Sequence, residues 1–341
     1  MMKTKKFKLN AHFINNNRSY MFLAIILIIG LFVDKFYTAF NIAAVTGNGS
    51  LFMWLGLGFT VCLIAGHFDL SVMYMSTFGA LICLGLRGDY GLPWIVCILA
   101  ATAVGALVGL ANGILTTKFK INSFIVTLGM QFILRGAMYL YCNGEELSIG
   151  RDYDFNELLN STVGPLPFSV YFVITSVAVF IVMIVLRYTR FGRNIHMVGG
   201  NLETAWLAGI KSDWVTTGAF MISSACCGLG GALNGIYSGA ASVTMGEKGI
   251  SPLSMAITAT IIGGTSLYGG KGSVIWTYVS LIAIALLKSI FKKTEMQVLV
   301  ISIILIVCIF YETLAQYRKD KVMGTRPNLH LEHLKETGKA N

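Results

Sequence analysis

The sequence predicts an all-α, polytopic integral membrane protein of about ten transmembrane helices, with both chain ends on the inner side. Three observations carry that expectation. Of 341 residues, 55% are hydrophobic and 12% charged, where a soluble domain has about 25% charged residues. The apolar residues gather in runs near the ~20 that cross a bilayer. Lys and Arg concentrate between alternate runs, as the inner loops of a membrane protein require.

In order, the runs lie near 20–40, 50–66, 70–86, 93–115, 121–141, 167–186, 215–236, 251–263, 273–290 and 296–314. Residues 1–19 form a basic inner N-terminus. Lys3, Lys5, Lys6 and Lys8 precede a long first run without an A-x-A-like exit, so that run reads as an uncleaved span. The transmembrane domain occupies 20–314, and 315–341 is a basic inner tail expected to be disordered. The runs 50–66 and 251–263 are short and Gly-rich. They read as broken or partly re-entrant helices, which a bilayer tolerates only under a cover of protein.

With this topology the inner segments hold eighteen Lys and Arg and the outer ones seven, with Arg135 inside a span. The cluster Lys288, Lys292 and Lys293 runs locally against the rule. A net charge of +10 calls for no nucleic acid, because span orientation and anionic headgroups account for it. The seven cysteines sit in apolar runs, Cys142 excepted, with no C-x-x-C pair. They read as small buried hydrophobes.

The longest basic interruption is 187–214, marked as inner by Arg187, Arg190, Arg193 and Lys211. Within it Asn201 can cap a helix of about two turns, with Glu203 in the first turn and Gly209 as its stop. A short capped helix on an inner loop gives a soluble partner a handle, and the loop reads as the contact through which an ATPase would work the protein. The longest outer loop, 142–166, is acidic through Glu145, Glu146, Asp152, Asp154 and Glu157. It is either a solvated loop or a face that receives a soluble donor protein.

Small residues recur every four positions at Ala101, Gly105, Gly109 and Gly113, and again at Gly231, Gly235 and Gly239. Such stripes let helix backbones approach closely in lipid. Asn112 and Asn234 sit beside them, each bonding a neighbouring helix or facing a polar route. Asp69, with His67 and Ser71 nearby, lies between the second and third runs. It either caps the third span or does functional work as an interior charge. The interior is otherwise poor in acid, which favours a neutral solute and an outside energy source over proton or sodium coupling. LIAGHFDLS (63–71) and IIGGTSLYGG (261–270) each join a small-residue run to the next in the same orientation, a weak internal echo.

No catalytic site emerges. The stretch from Gly263 to Ser273 is no phosphate loop, since Lys271 is followed by Gly272 where Ser or Thr is needed. G-x-S-x-G and H-E-x-x-H are absent, and the five histidines are scattered. The sequence calls for no metal and no cofactor.

Three stretches together resemble the permease subunits of bacterial ribose/xylose/galactoside-type ABC importers. Ala65-Gly66-His67-Phe68-Asp69-Leu70-Ser71-Val72 is similar to that family's Gly-Gly-Ile-Asp-Leu-Ser-Val-Gly. Phe191-Gly192-Arg193 through Gly199-Gly200-Asn201-Leu202-Glu203-Thr204-Ala205 to Ala208-Gly209-Ile210 resembles its cytoplasmic coupling segment. Gly263-Gly264-Thr265-Ser266-Leu267-Tyr268-Gly269-Gly270-Lys271-Gly272-Ser273 is close to Gly-Gly-Thr-Ser-Leu-x-Gly-Gly-x-Gly-Ser. Asn112-Gly113 and 123–129 are lesser matches.

The resemblance implies a plasma-membrane permease that pairs with a second copy or a paralogue and catalyses nothing itself. Its partners would be a cytoplasmic tandem ATPase, an extracytoplasmic sugar-binding protein and membrane lipid. Gly199, Gly200, Asn201, Glu203, Ala205 and Gly209 would form the ATPase contact. Asp69, Ser71, Gly264, Thr265 and Ser266 would fall in the shared core, with Asn112 and Asn234 as further candidates for the path. His67 and Phe68 stand where the family has Gly and Ile, which puts a plain pentose substrate in doubt. An ion-coupled carrier is the rival reading.

Overall fold

The structure, a computed structural model, describes residues 11–148, 154–245, 251–291 and 293–323. The expectations for Lys3–Lys8, Arg151, Asp152, Lys248, Lys292 and the tail beyond 323 lie outside the described residues. Nearly everything described is helical. In chain order the helices are α1 (Ala11–Gly30), α2 (Ala39–Ile64), α3 (Val72–Tyr90), α4 (Trp94–Thr117), α5 (Ser123–Cys142), α6 (Asp154–Asn160) and α7 (Val170–Tyr188). There follow α8 (Arg190–Gly200), α9 (Leu202–Leu207), α10 (Ser212–Ser238), α11 (Pro252–Ile262), α12 (Val274–Ile290) and α13 (Thr294–Met323). A two-stranded antiparallel ribbon joins β1 (Leu147–Ser148) to β2 (Ala240–Ala241), with Leu147 opposite Ala241.

Six helices are long and apolar enough to cross a membrane: α2, α4, α5, α7, α10 and the Thr294–Tyr311 part of α13. Asn17–Gly30, α11 and α12 are shorter apolar helices. The run 50–66 is not a short broken element. It is the second half of α2, a 26-residue helix whose N-cap Thr38 accepts a bond from Asn41 N–H. The first half does not read as apolar because Asn41, Thr46 and Asn48 dilute its hydropathy. The run 251–263 does form a short helix, α11, of 11 residues.

α10 is the central post, packed along α4, α3 and α2. The small-residue stripes make this packing possible. A Cβ on Gly105 would lie 2.4 Å from Ser224 O, on Gly109 2.3 Å from Phe220 O, and on Gly231 1.8 Å from Ser76 O. Backbone meets backbone there, so the stripes are packing surfaces. Gly239 leaves its stripe and ends α10 in the left-handed conformation. α4, α5 and α7 turn Leu107, Ile133 and Phe180 outward, as lipid-facing helices do.

Two ends collect the loops. At one, Lys120 pairs with Asp213 at 3.4 Å, and the segments 65–66, 199–200 and 269–270 touch. At the other, Asn156 of α6 donates to Ile236 O and Tyr237 O, and the ribbon ties 147–148 to α10's exit. The acidic stretch 142–166 is therefore partly built structure, with Leu159 fully buried, while Glu145, Glu146, Asp154 and Glu157 stay exposed.

Candidate functional site

α2 and α11 end in the same way. In α2, Gly66 N–H bonds Leu63 O at 3.0 Å and His67 N–H bonds Cys62 O at 3.0 Å. In α11, Gly264 N–H bonds Ile261 O at 3.0 Å and Thr265 N–H bonds Thr260 O at 3.1 Å. Both are Schellman caps, and both glycines sit at φ +85°, where any Cβ is strained. α9 closes with the same pair of bonds, from Gly209 to Trp206 O and from Ile210 to Ala205 O.

α8 clasps the α2 end together with the loop that follows α11. Gly270 N–H donates to Ile64 O at 2.8 Å, and His196 Nδ1 donates to Gly270 O at 3.2 Å. Gly199 lies so close that a Cβ would fall 1.9 Å from Ile64 O and 2.8 Å from Gly270 N. A Cβ on Gly269 would meet Gly66 Cα at 2.6 Å. Three of the stretches singled out by sequence thus form one backbone-on-backbone knot.

α9 follows directly. Asn201 Oδ1 accepts from Thr204 N–H at 2.9 Å, Glu203 occupies the first turn, and Gly209 follows the C-cap Ala208. Ala205 is its buried side, while Leu202, Glu203, Trp206 and Leu207 are exposed. The six residues expected to form one contact therefore divide. Asn201, Glu203 and Gly209 face solvent, Ala205 is turned inward, and Gly199 belongs to the clasp. Gly200 is exposed beside Gly270, the nearest atom to its Cβ being Gly270 Cα at 3.8 Å.

The α2–α3 connection turns back into the bundle. Asp69 is fully buried: its Oδ1 accepts from Ser71 N–H at 3.1 Å and Ser71 Oγ–H at 2.6 Å, and its Oδ2 from Ser223 Oγ–H at 2.8 Å. Asn112 Nδ2 donates to Ser71 Oγ at 3.1 Å. Ser223 stands about 16 Å along α10 from Ser212, so the start of α3 lies well inside the bundle. Asp69 thus bonds Ser71, the N-cap residue of α3, on one side and α10 on the other.

Asn234, about 16 Å further along α10, lies instead near Ser76 and Thr77 and apart from this group. Thr265 is fully buried, and Ser266 N–H bonds Lys271 O at 2.9 Å inside its own loop. Below these, the hydroxyls of Thr60, Thr260 and Thr277 lie 3.2 and 3.0 Å from one another and link α2, α11 and α12.

Ser223, His196 and the three threonines escaped the sequence reading. For His196 a signal existed in Phe191, Ile195 and Val198, spaced for one helix face after the capping Thr189. Among the described residues no group of His, Cys, Asp and Glu could hold a metal ion.

The family described as branched-chain amino acid transport system / permease component matches residues 41–309. The fructose import permease of Rhizobium meliloti is 31% identical over 247 residues, covering 70% of this chain and 67% of that one. The D-allose transport system permease of Escherichia coli is 29% identical over 258 residues, 75% and 77% of the two chains. The ribose import permease of Escherichia coli is 28% identical over 271 residues, 78% and 82%. No solved structure matches the chain significantly.

Proposed function

This chain belongs to the family of branched-chain amino acid transport system permease components, and from that premise we infer that it is the transmembrane subunit of an ATP-driven monosaccharide importer. The relatives above are named for fructose, allose and ribose, which supports a neutral sugar over an amino acid. Ten crossings with both ends inside fit the alternation of loops between the two ends. The clasped end carries Lys118, Lys120, Arg187, Arg190, Arg193 and Lys211, so it is the cytoplasmic one.

One observation carries the mechanism. The exposed helix α9 follows, through Asn201, the helix whose Gly199 is locked against the end of α2 and against Gly270 in the loop that follows α11. A cytoplasmic ATPase that grips Leu202, Glu203, Trp206 and Leu207 would therefore move α8, the α2 end and the loop after α11 together. Asp69 and Ser71 would pass that motion to α10 through Ser223, and to α4 through Asn112. Opposite, an extracytoplasmic binding protein would deliver sugar to the acidic face, between this chain and a second permease. The ATPase supplies what the permease lacks, a difference in affinity for two conformations. Ion coupling is disfavoured, because both oxygens of the interior carboxylate Asp69 are already engaged by Ser71 and Ser223.

The test is a paired measurement on the assembled complex. In Glu203→Lys and Trp206→Ala, sugar uptake should fall about tenfold or more, as for a contact at the centre of an interface, with membrane insertion unchanged. Normal uptake in both variants would remove α9 from the ATPase contact.

A further inference from the structure

A cavity of about 910 Å³ lies between α4, α9 and the start of α10, and the clasp does not account for it. Leu110 and Ile114 form one wall, and Lys118, Trp206, Lys211 and Trp214 stand around it. Leu110 is about 10 Å up α4 from its last residue, Thr117. The cavity thus runs from the polar end of the bundle into its apolar depth. A soluble partner could reach the mouth and not the Leu110 wall, whereas an amphiphile can occupy both.

The mouth has the chemistry of a headgroup boundary. Trp206 is 70% and Trp214 68% exposed, the placement of indoles that sit at a membrane surface. Lys120 is tied to Asp213 at 3.4 Å, and Glu203 lines the same cavity. Lys118 and Lys211 are exposed and form no ion pair among the described residues. With Lys120 they outnumber the two carboxylates, leaving the mouth net positive.

We propose that this cavity binds an anionic phospholipid, with the headgroup phosphate at Lys118 and Lys211 and an acyl chain along Leu110 and Ile114. α9 would then rest partly on lipid, and the headgroup would set the stiffness of the surface the ATPase pushes. The inner leaflet as the source of this lipid rests on the topology inferred above, while the binding itself does not.

The experiment uses the full chain in bilayers doped with brominated lipids, reading quenching of tryptophan fluorescence. Brominated phosphatidylglycerol should quench Trp206 and Trp214 at lower mole fraction than brominated phosphatidylcholine, by a factor of about five for each lysine engaged. Raising salt should shrink the difference. Lys118→Gln with Lys211→Gln should abolish the preference, and Lys118→Arg with Lys211→Arg should keep it. Trp206→Phe with Trp214→Phe should remove the preferential signal. Equal quenching by the two lipids overturns the proposal, as does a preference unchanged in the glutamine variant or after loss of both tryptophans. Shielding of Trp206 and Trp214 only when the ATPase is added also overturns it, and assigns the cavity to that protein. No outcome here depends on transport, so ATP-driven uptake can stand while the lipid site falls.

Discussion

The ends of α2 and α11 share one cap and part company immediately after it. Each closes with the same two backbone bonds and a glycine at φ +85°. After Gly66 the chain turns inward to bury Asp69 against Ser223. After Gly264 it buries Thr265 and then folds Gly269 and Gly270 over Gly66 and α8. One end thus reaches the interior of the bundle, and the other reaches α8, the helix that leads into the exposed α9. Identical local chemistry serves opposite purposes because the next five residues differ: His-Phe-Asp-Leu-Ser in one case, Thr-Ser-Leu-Tyr-Gly in the other.

Gly199→Ala should break the pairing most severely, since its Cβ would fall 1.9 Å from Ile64 O and only backbone could move aside. Overpacking of this kind costs about 1–3 kcal/mol or more. The variant should lose uptake and unfold in detergent at lower temperature. Next comes Asp69→Ala, which leaves the Ser71 and Ser223 hydroxyls without their acceptor at about 1–3 kcal/mol per orphaned group. Asp69→Asn keeps one acceptor oxygen and should lose less. Thermal unfolding of the two should rank them in that order, and equal loss would mean that charge, and not hydrogen bonding, holds the α2 side.

A finer comparison uses Gly66→Ala and Gly264→Ala. If the two caps are equivalent, each should destabilise by about 1 kcal/mol, the penalty of a Cβ at left-handed φ. The smallest effect belongs to Gly200→Ala, whose Cβ would meet nothing nearer than Gly270 Cα at 3.8 Å. Its unfolding temperature should match the parent, in contrast to its neighbour Gly199.

What the sequence revealed follows from how local each signal is. α9 was legible to the residue, because Asn201, Glu203 and Gly209 act within one short segment. The membrane-spanning character was legible from hydropathy. α8 was not, since its apolar face of three residues is hidden among Arg190, Arg193, Asn194 and His196. The inward turn at 67–71 left no local trace, because it depends on Ser223, more than 150 residues away. Gly199 and Gly200 were expected in the ATPase contact, and only the approach of Gly199 to Ile64 and Gly270 shows a clasp. The echo between 63–71 and 261–270 was real as cap geometry and silent about where each chain goes next.

The central claim is that the permease supplies a gated passage and takes its energy from a partner acting on α9. Reconstitution in liposomes tests it most directly, with the sugar's accumulation measured under two conditions. With the ATPase, the binding protein and ATP present, uptake should run uphill. With the permease alone under an imposed proton or sodium gradient, it should not. Uphill accumulation under the gradient alone would contradict the account.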